Sequence, residues 1–180
     1  MNSYSFLAGS YDKLTYDVGY ADWADYIEKH FNKRGIPGKT VLDLACGTGS
    51  VALILAKMGY HTIGVDMSEE MLCQAAQKAQ ELAEPPRFIC QRLEELYLPR
   101  GVDLAVCALD SMNYITDPKD CETAIQRVYK ALNPGGIFIF DVNTPQRFQS
   151  MDGQVFLDED DDVYCVWRGE FDKETNICSY

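Results

Sequence analysis

Thr40-Val41-Leu42-Asp43-Leu44-Ala45-Cys46-Gly47-Thr48-Gly49-Ser50 is the stretch on which the fold turns. Thr40 to Leu44 is short and apolar and predicts a buried strand, Gly47-Thr48-Gly49 predicts a tight turn, and Val51 to Met58 predicts a helix that ends at Gly59. Glycines without a Cβ let a ligand approach the backbone closely, and the free N–H groups at the start of the following helix attract negative charge.

Working outward, His61 to Val65 predicts a second strand ending at Asp66. Ser68 is placed as a helix N-cap, with Glu69 and Glu70 in the first turn and the helix running towards Glu84, where Pro85-Pro86 stops it. Arg87 to Cys90 and Val102 to Cys107 predict strands three and four. Asp117-Pro118 caps and opens a helix reaching Leu132, Asn133-Pro134-Gly135-Gly136 is the turn out of it, and Ile137 to Val142 is a fifth apolar strand. Five alternations of strand and helix predict an α/β, doubly wound, mostly parallel Rossmann-like sheet with helices on both faces.

Ahead of the sheet, Tyr20 to Lys33 has the period of an amphipathic helix, with Trp23, Ile27 and Phe31 on one side and Tyr26 flanking them. After Pro145, Gln154 to Leu157 and Val163 to Trp167 predict antiparallel strands, and Asp172 to Asn176 a hairpin turn. The chain therefore divides into a helical cap (1–39), the Rossmann-like core (40–145) and an antiparallel β extension (146–180), the last read as truncated because it stops at Tyr180 inside a strand.

At 180 residues, 47% hydrophobic and 24% charged, the composition is that of one globular domain. No apolar stretch approaches the roughly 20 residues that span a bilayer, and the start of the chain lacks a basic region followed by an apolar block. Seven cysteines without a C-x-x-C pair argue against a disulfide framework or zinc site, so reduced thiols in the cytoplasm are expected. A net charge of −12 disfavours nucleic acid as a partner. The acidic run Asp158-Glu159-Asp160-Asp161-Asp162 lacks the glycine and spaced ligands of a calcium loop and reads as a solvated turn; no metal site is expected.

Gly47-Thr48-Gly49-Ser50-Val51-Ala52 also satisfies the dinucleotide pattern G-x-G-x-x-G/A, and Asp66, 17 positions beyond Gly49, could hold ribose hydroxyls. NAD and S-adenosylmethionine are both compatible with that much. Asp43, four residues ahead of Gly47, separates them: its carboxylate would repel a pyrophosphate but favour an ammonium and a sulfonium.

Val41 to Gly49 resembles the first motif of the class I S-adenosylmethionine-dependent methyltransferases, Gly64-Val65-Asp66-Met67-Ser68 resembles the next, and Asn133-Pro134-Gly135-Gly136 resembles the turn before their fifth strand. Tyr11-Asp12-Lys13-Leu14 and Leu109-Asp110-Ser111-Met112-Asn113-Tyr114 are similar to a group of small bacterial methyltransferases, the YqeM type among them. The resemblance implies S-adenosylmethionine as cofactor, S-adenosylhomocysteine as product, and adenine near the end of the third strand. Where the superfamily often has an acidic residue after that strand, this chain has Cys90-Gln91-Arg92-Leu93, so Gln91 or the Leu93 backbone is expected to substitute. The superfamily's sheet usually ends in an antiparallel pair beyond strand five, which this chain is expected to lack.

The candidate cofactor residues are thus Tyr11, Asp43, Ala45, Cys46, Gly47, Thr48, Gly49, Asp66, Met67, Gln91 and Leu93. Ala45, Cys46 and Thr48 would act through backbone groups, Cys46 otherwise as a packing residue, Met67 would cover adenine, and Tyr11 with Tyr16 would close over the methionine end or pack. Asp110 and Tyr114 are the candidate catalytic residues. They follow strand four, where doubly wound folds place ligand-facing loops: Asp110 as base or anchor, Asn113 as an orienting donor, Tyr114 as a wall. The alternative is a capped loop whose Tyr packs. His30 and His61 read as surface or cap residues, and Phe156, Tyr164, Trp167 and Phe171 as packing in preference to a substrate pocket. The reaction expected is in-line displacement of the sulfonium methyl onto a small-molecule acceptor, with a homodimer formed through an open sheet edge as an option. The rival readings are an NAD-dependent oxidoreductase and a non-catalytic module that binds S-adenosylmethionine or steadies a partner.

Overall fold

The first strand, β1 (Thr40–Leu44), occupies the centre of a five-stranded parallel sheet because the chain winds outward from it in both directions. β2 (His61–Asp66) and β3 (Arg87–Cys90) lie on one side, β4 (Val102–Cys107) and β5 (Leu132–Phe140) on the other, in the order β3-β2-β1-β4-β5. The structure, a computed structural model, describes residues 7–36, 39–160 and 163–180; Asp161 and Asp162 of the acidic run and the N-terminal residues 1–6 lie outside the described residues.

Alternation along β1 sends its side chains to two cores. Val41 packs with Leu104 and Val106 of β4 under Ile27 and Phe31 of α2 (Tyr20–Lys33) and Val51 and Leu55 of α3 (Ser50–Lys57). Leu42 and Leu44 face the opposite layer, against Ala124, Val128 and Ala131 of α5 (Pro118–Ala131) and Leu93 and Met112 from two 3-10 turns. A short helix, α1 (Tyr11–Leu14), precedes α2. α4 (Glu69–Ala79) follows β2; the Ser68 hydroxyl caps it, accepting the Met71 N–H at 3.2 Å.

Besides β6, which runs from Val155 to Asp160 so that Asp158 to Asp160 of the acidic run are paired strand and not turn, two boundaries of the core differ from the sequence reading. α4 ends at Ala79, not near Glu84: the chain leaves the helix through turns such as Leu82 N–H to Ala79 C=O, and Pro85 bars the residue before it from helical geometry. β5 begins at Leu132 and ends at Phe140, not Ile137 to Val142. Leu132 pairs with Val102 and pairing resumes at Ile137 with Leu104, so Asn133-Pro134-Gly135-Gly136 loops out opposite Asp103. Gly135, at φ 83°, takes the left-handed step. The Asp103 carboxylate fixes the bulge, accepting Asn133 Nδ2–H at 2.8 Å, and also accepts the Thr40 N–H at 3.0 Å, so one side chain aligns the starts of β1 and β5.

The segment after the core opens with a helix that the strand pattern did not announce, α6 (Pro145–Ser150), which begins on a proline behind the capping hydroxyl of Thr144. β6 (Val155–Asp160) and β7 (Val163–Arg168) then pair antiparallel, as do β8 (Glu170–Asp172) and β9 (Ile177–Ser179) around the hairpin expected at Asp172 to Asn176. Val155, Leu157, Tyr164 and Val166 are exposed, while Phe171 is buried. No helix among the described residues is long and apolar enough to cross a membrane.

Candidate functional site

The side of β1 that carries Val41 also carries Asp43, so alternation aims the Asp43 carboxylate at the start of α3. Asp43 is only 2% exposed, and its Oδ2 has no hydrogen-bond partner. Burial pushes its pKa up to about 7; the neighbouring Asp66 charge adds to the rise, and the Ala52 N–H of α3 opposes it. A buried, half-satisfied carboxylate is costly unless a donor or cation arrives.

Ala45, Gly47 and Gly49 all have positive φ, at 53°, 53° and 78°. At Gly49 a Cβ would meet Ala75 Cβ at 3.0 Å and the Phe88 ring at 3.1 Å. At Gly64 on β2 it would meet Phe88 at 2.7 Å and Cys46 Sγ at 2.8 Å, so Cys46 fills the space that this glycine leaves. Burial and the Asp43 and Asp66 charges raise the Cys46 pKa well above its ordinary value, which keeps the thiol protonated and poorly nucleophilic. Cys46 is thus a packing residue.

Asp66 ends β2 with both carboxylate oxygens engaged by backbone: Gly47 N–H donates at 2.8 Å and Ser68 N–H at 2.9 Å. Each oxygen keeps a lone pair, so the carboxylate is aimed without being used up. Met67 beside it is 50% exposed at the mouth of the turn. Gln91 and Leu93 divide: the Gln91 amide oxygen accepts the Tyr97 N–H at 3.1 Å, while the Leu93 side chain is in the core below. Tyr16 is 83% exposed, outside the packed core. His30 is exposed beside the Tyr26 carbonyl, and His61 is exposed 3.9 Å from Glu84, both outside the site.

One contributor was not singled out from sequence. Asp12, within α1, accepts the Thr48 hydroxyl on one carboxylate oxygen and the Lys78 ammonium, at 2.6 Å, on the other. It ties α1 to the glycine turn and to α4. Its neighbour Tyr11 is largely buried; burial, with Tyr20, Tyr114 and Asp110 nearby, raises the phenol pKa strongly. Tyr11 therefore stands between the glycine turn and the loop after β4.

That loop is strained and stapled. Leu109 and Asp110 both have positive φ, 59° and 52°. The Asp110 N–H donates to Asp141 Oδ2 at 2.9 Å, and Asp110 Oδ2 accepts Asn143 Nδ2–H at 2.9 Å. Asn113 and Asn143 exchange a reciprocal pair: Asn143 N–H to Asn113 Oδ1 at 2.9 Å and Asn113 Nδ2–H to the Asn143 carbonyl at 3.2 Å. Burial raises the Asp110 pKa, the Asn143 hydrogen bond lowers it, Asp141 raises it and Arg147 lowers it. Asp141, just past β5, keeps one buried oxygen without a partner.

Asp110, Asn113 and Tyr114 form one wall of a cavity of about 420 Å³. The opposite walls come from Phe148 of α6, Trp167 of β7 and the chain end through Tyr180. None of Asp43, Gly47, Gly49 or Asp66 lines it, so the cavity and the glycine turn are distinct features of the carboxyl edge of the sheet. Of the aromatic residues read as packing, Phe171 packs, Phe156 and Tyr164 are exposed, and Trp167 lines the cavity with its Nε1–H donated to Asp158 at 2.8 Å. Among the described residues no cluster of three or more His, Cys, Asp or Glu could hold a metal ion.

Known proteins fit this geometry. The profile of the family described as Methyltransferase domain matches residues 41–136. YqeM of Bacillus subtilis (strain 168), named as a candidate methyltransferase, is 34% identical over 167 residues, 92% of this chain and 66% of its own length. The chain spans about two thirds of the length of this relative and of a similar protein from Geobacillus sp. (strain WCH70). The crystal structure of an S-adenosylmethionine-dependent methyltransferase from Clostridium acetobutylicum superposes with a TM-score of 0.83 at 36% identity, over 96% of this chain and 71% of that one. S-adenosylmethionine-bound CalS10, an amino pentose methyltransferase from Micromonospora echinaspora, shares the fold at a TM-score of 0.71 and 21% identity, over 86% and 65% of the two chains. With its 3-2-1-4-5 parallel sheet, glycine turn and paired acids, the chain belongs to the class I S-adenosylmethionine-dependent methyltransferases.

Proposed function

We propose that the glycine turn binds S-adenosylmethionine and that the cavity beside Asp110 receives a small-molecule acceptor. The observation that carries the first half is the orphaned, buried Oδ2 of Asp43, which lacks a donor and whose carboxylate would favour an ammonium and repel a pyrophosphate. The second acid, Asp66, offers its spare lone pairs to a ribose diol, while Gly47, whose missing Cβ would face open space, keeps the approach free of a side chain and Gly49 lets the turn pack against Ala75 and Phe88. Bound there, the cofactor supplies an activated methyl on a good leaving group.

The rest falls to the chain's own residues. Tyr11 and Tyr114 exclude water from the passage between the two sites, Asp110 orients the acceptor and takes a proton where the nucleophile carries one, and Asn113 with Asn143 holds Asp110 in place. Gln91 can still offer its amide NH₂ to an adenine, and Met67 a flexible thioether to its ring.

Calorimetric titration with S-adenosylmethionine, S-adenosylhomocysteine and NAD tests this reading. The first two bind, and Asp66→Ala weakens them by about 100-fold, about 2.7 kcal/mol, since it removes both the diol acceptor and the anchor of the turn. Binding of NAD in their place would overturn the assignment.

A further inference from the structure

The lining of the 420 Å³ cavity is chemically one-sided: among the described residues it contains a carboxylate, Asp110, and four aromatic rings, Tyr114, Phe148, Trp167 and Tyr180, but no Lys, Arg or His. An anionic acceptor would lose its hydration there without gaining a counter-ion. A cation would gain two kinds of partner, the carboxylate and the faces of Tyr and Trp rings. Asp141, with its unpartnered buried oxygen, lies directly behind Asp110 and adds negative potential. The nearest positive influence, Arg147, is exposed on α6 and outside the lining.

Resting on the reading of this cavity as the acceptor site, we propose that the acceptor is a small primary or secondary amine, bound as its ammonium ion against Asp110 and the aromatic walls. The methyl balance is simple. The ammonium gives one proton to the Asp110 carboxylate, the freed nitrogen pair forms the new N–C bond, and the S–C bond breaks with its electron pair left on sulfur as a neutral thioether. Asp110 then releases its proton to solvent. The desolvation that raises the Asp110 pKa helps it to accept that proton.

The test is direct binding, without turnover. Benzylamine, benzyl alcohol and benzoate, three probes of one shape and different charge, are titrated into the full chain saturated with S-adenosylhomocysteine. Benzylammonium is expected to bind at least tenfold tighter than the alcohol, with benzoate weakest. Asp110→Asn should erase that preference while keeping the fold, because Asn tolerates the left-handed backbone at this position; Tyr180→Ala should weaken the amine about three- to tenfold. Equal or tighter binding of benzoate, or an Asp110→Asn variant that still prefers the amine, overturns the proposal. Retained S-adenosylhomocysteine binding with no preference among the probes sinks the amine assignment alone, whereas loss of S-adenosylhomocysteine binding in the unaltered chain sinks the cofactor reading beneath it.

Discussion

The two halves of the sheet's carboxyl edge are built differently. Around β1 and β2 the important groups lie within 24 residues of one another, from Asp43 to Asp66, and are fixed by backbone N–H groups and bare glycines. Around β4 and β5 the cavity is gathered from Asp110, Asn143, Trp167 and Tyr180, fixed by side-chain amides and closed by short hairpins with exposed outer faces. The first half spends glycines and buried acids on one rigid shape. The second holds its shape through a few side-chain contacts.

Substitutions in the two halves can break or sharpen that comparison. The largest effect is expected at Gly64→Val, which drives a branched side chain into Phe88 and Cys46 on a central strand. We expect a loss of about 3 kcal/mol, a fall of about 6–12 °C in the melting midpoint by calorimetry. An unchanged midpoint would mean that the cofactor half is more plastic than its packing implies.

Next comes the pH dependence set by Asp43. Its pKa is raised from 3.8 to about 7, so between those values the folded state holds a proton that the unfolded state has lost. Stability of the ligand-free protein therefore falls as pH rises from about 4 to 7, and Asp43→Asn flattens that slope in a thermal-melt series. Parallel wild-type and variant profiles would show that another group is responsible.

Asp12→Ala removes the tie between α1, Thr48 and Lys78. Because Asp12 and Lys78 are partly exposed, at 45% and 33%, the expected cost is modest: about 0.5–1 kcal/mol, or two- to fivefold in S-adenosylhomocysteine affinity. A hundredfold loss would make α1 part of the cofactor site proper. The smallest effect belongs to the outer face of the second half: Leu157→Thr, on exposed β6, should shift stability in a urea titration by less than about 0.5 kcal/mol. A larger shift would mean that this face is covered in solution.

Legibility in the sequence follows the same division. β1, β3, β4 and α2 stand where hydrophobic period and glycine turns put them, and the glycine turn with Asp43 and Asp66 could be read as one unit because it is contiguous. The ladder bulge before β5 reads locally as a turn, since only β4 shows that Leu132 is already paired. Asp12 falls in the motif Tyr11 to Leu14, but the motif does not tell what it binds; its partners are 36 and 66 residues away. Asn143 and Asp141 follow an apolar strand as ordinary turn residues would, and only the fold brings them against Asp110. Trp167 alternates like any strand aromatic, so period alone could not tell a cavity wall from packing.

Asn143 has a further consequence for anyone wishing to re-engineer the molecule. Its backbone N–H, carbonyl and side-chain amide all dock onto the loop after β4, immediately ahead of the residue that caps α6. Apart from Leu7, the residues that line the cavity opposite Asp110 are threaded onto the chain after that docking point, and the groups that hold Asp66 come before it. Asn143 is therefore a natural splice junction: a graft that keeps Asn113 and Asn143 and exchanges the sequence downstream would change the chamber while leaving the glycine turn with Asp43 and Asp66 as it was.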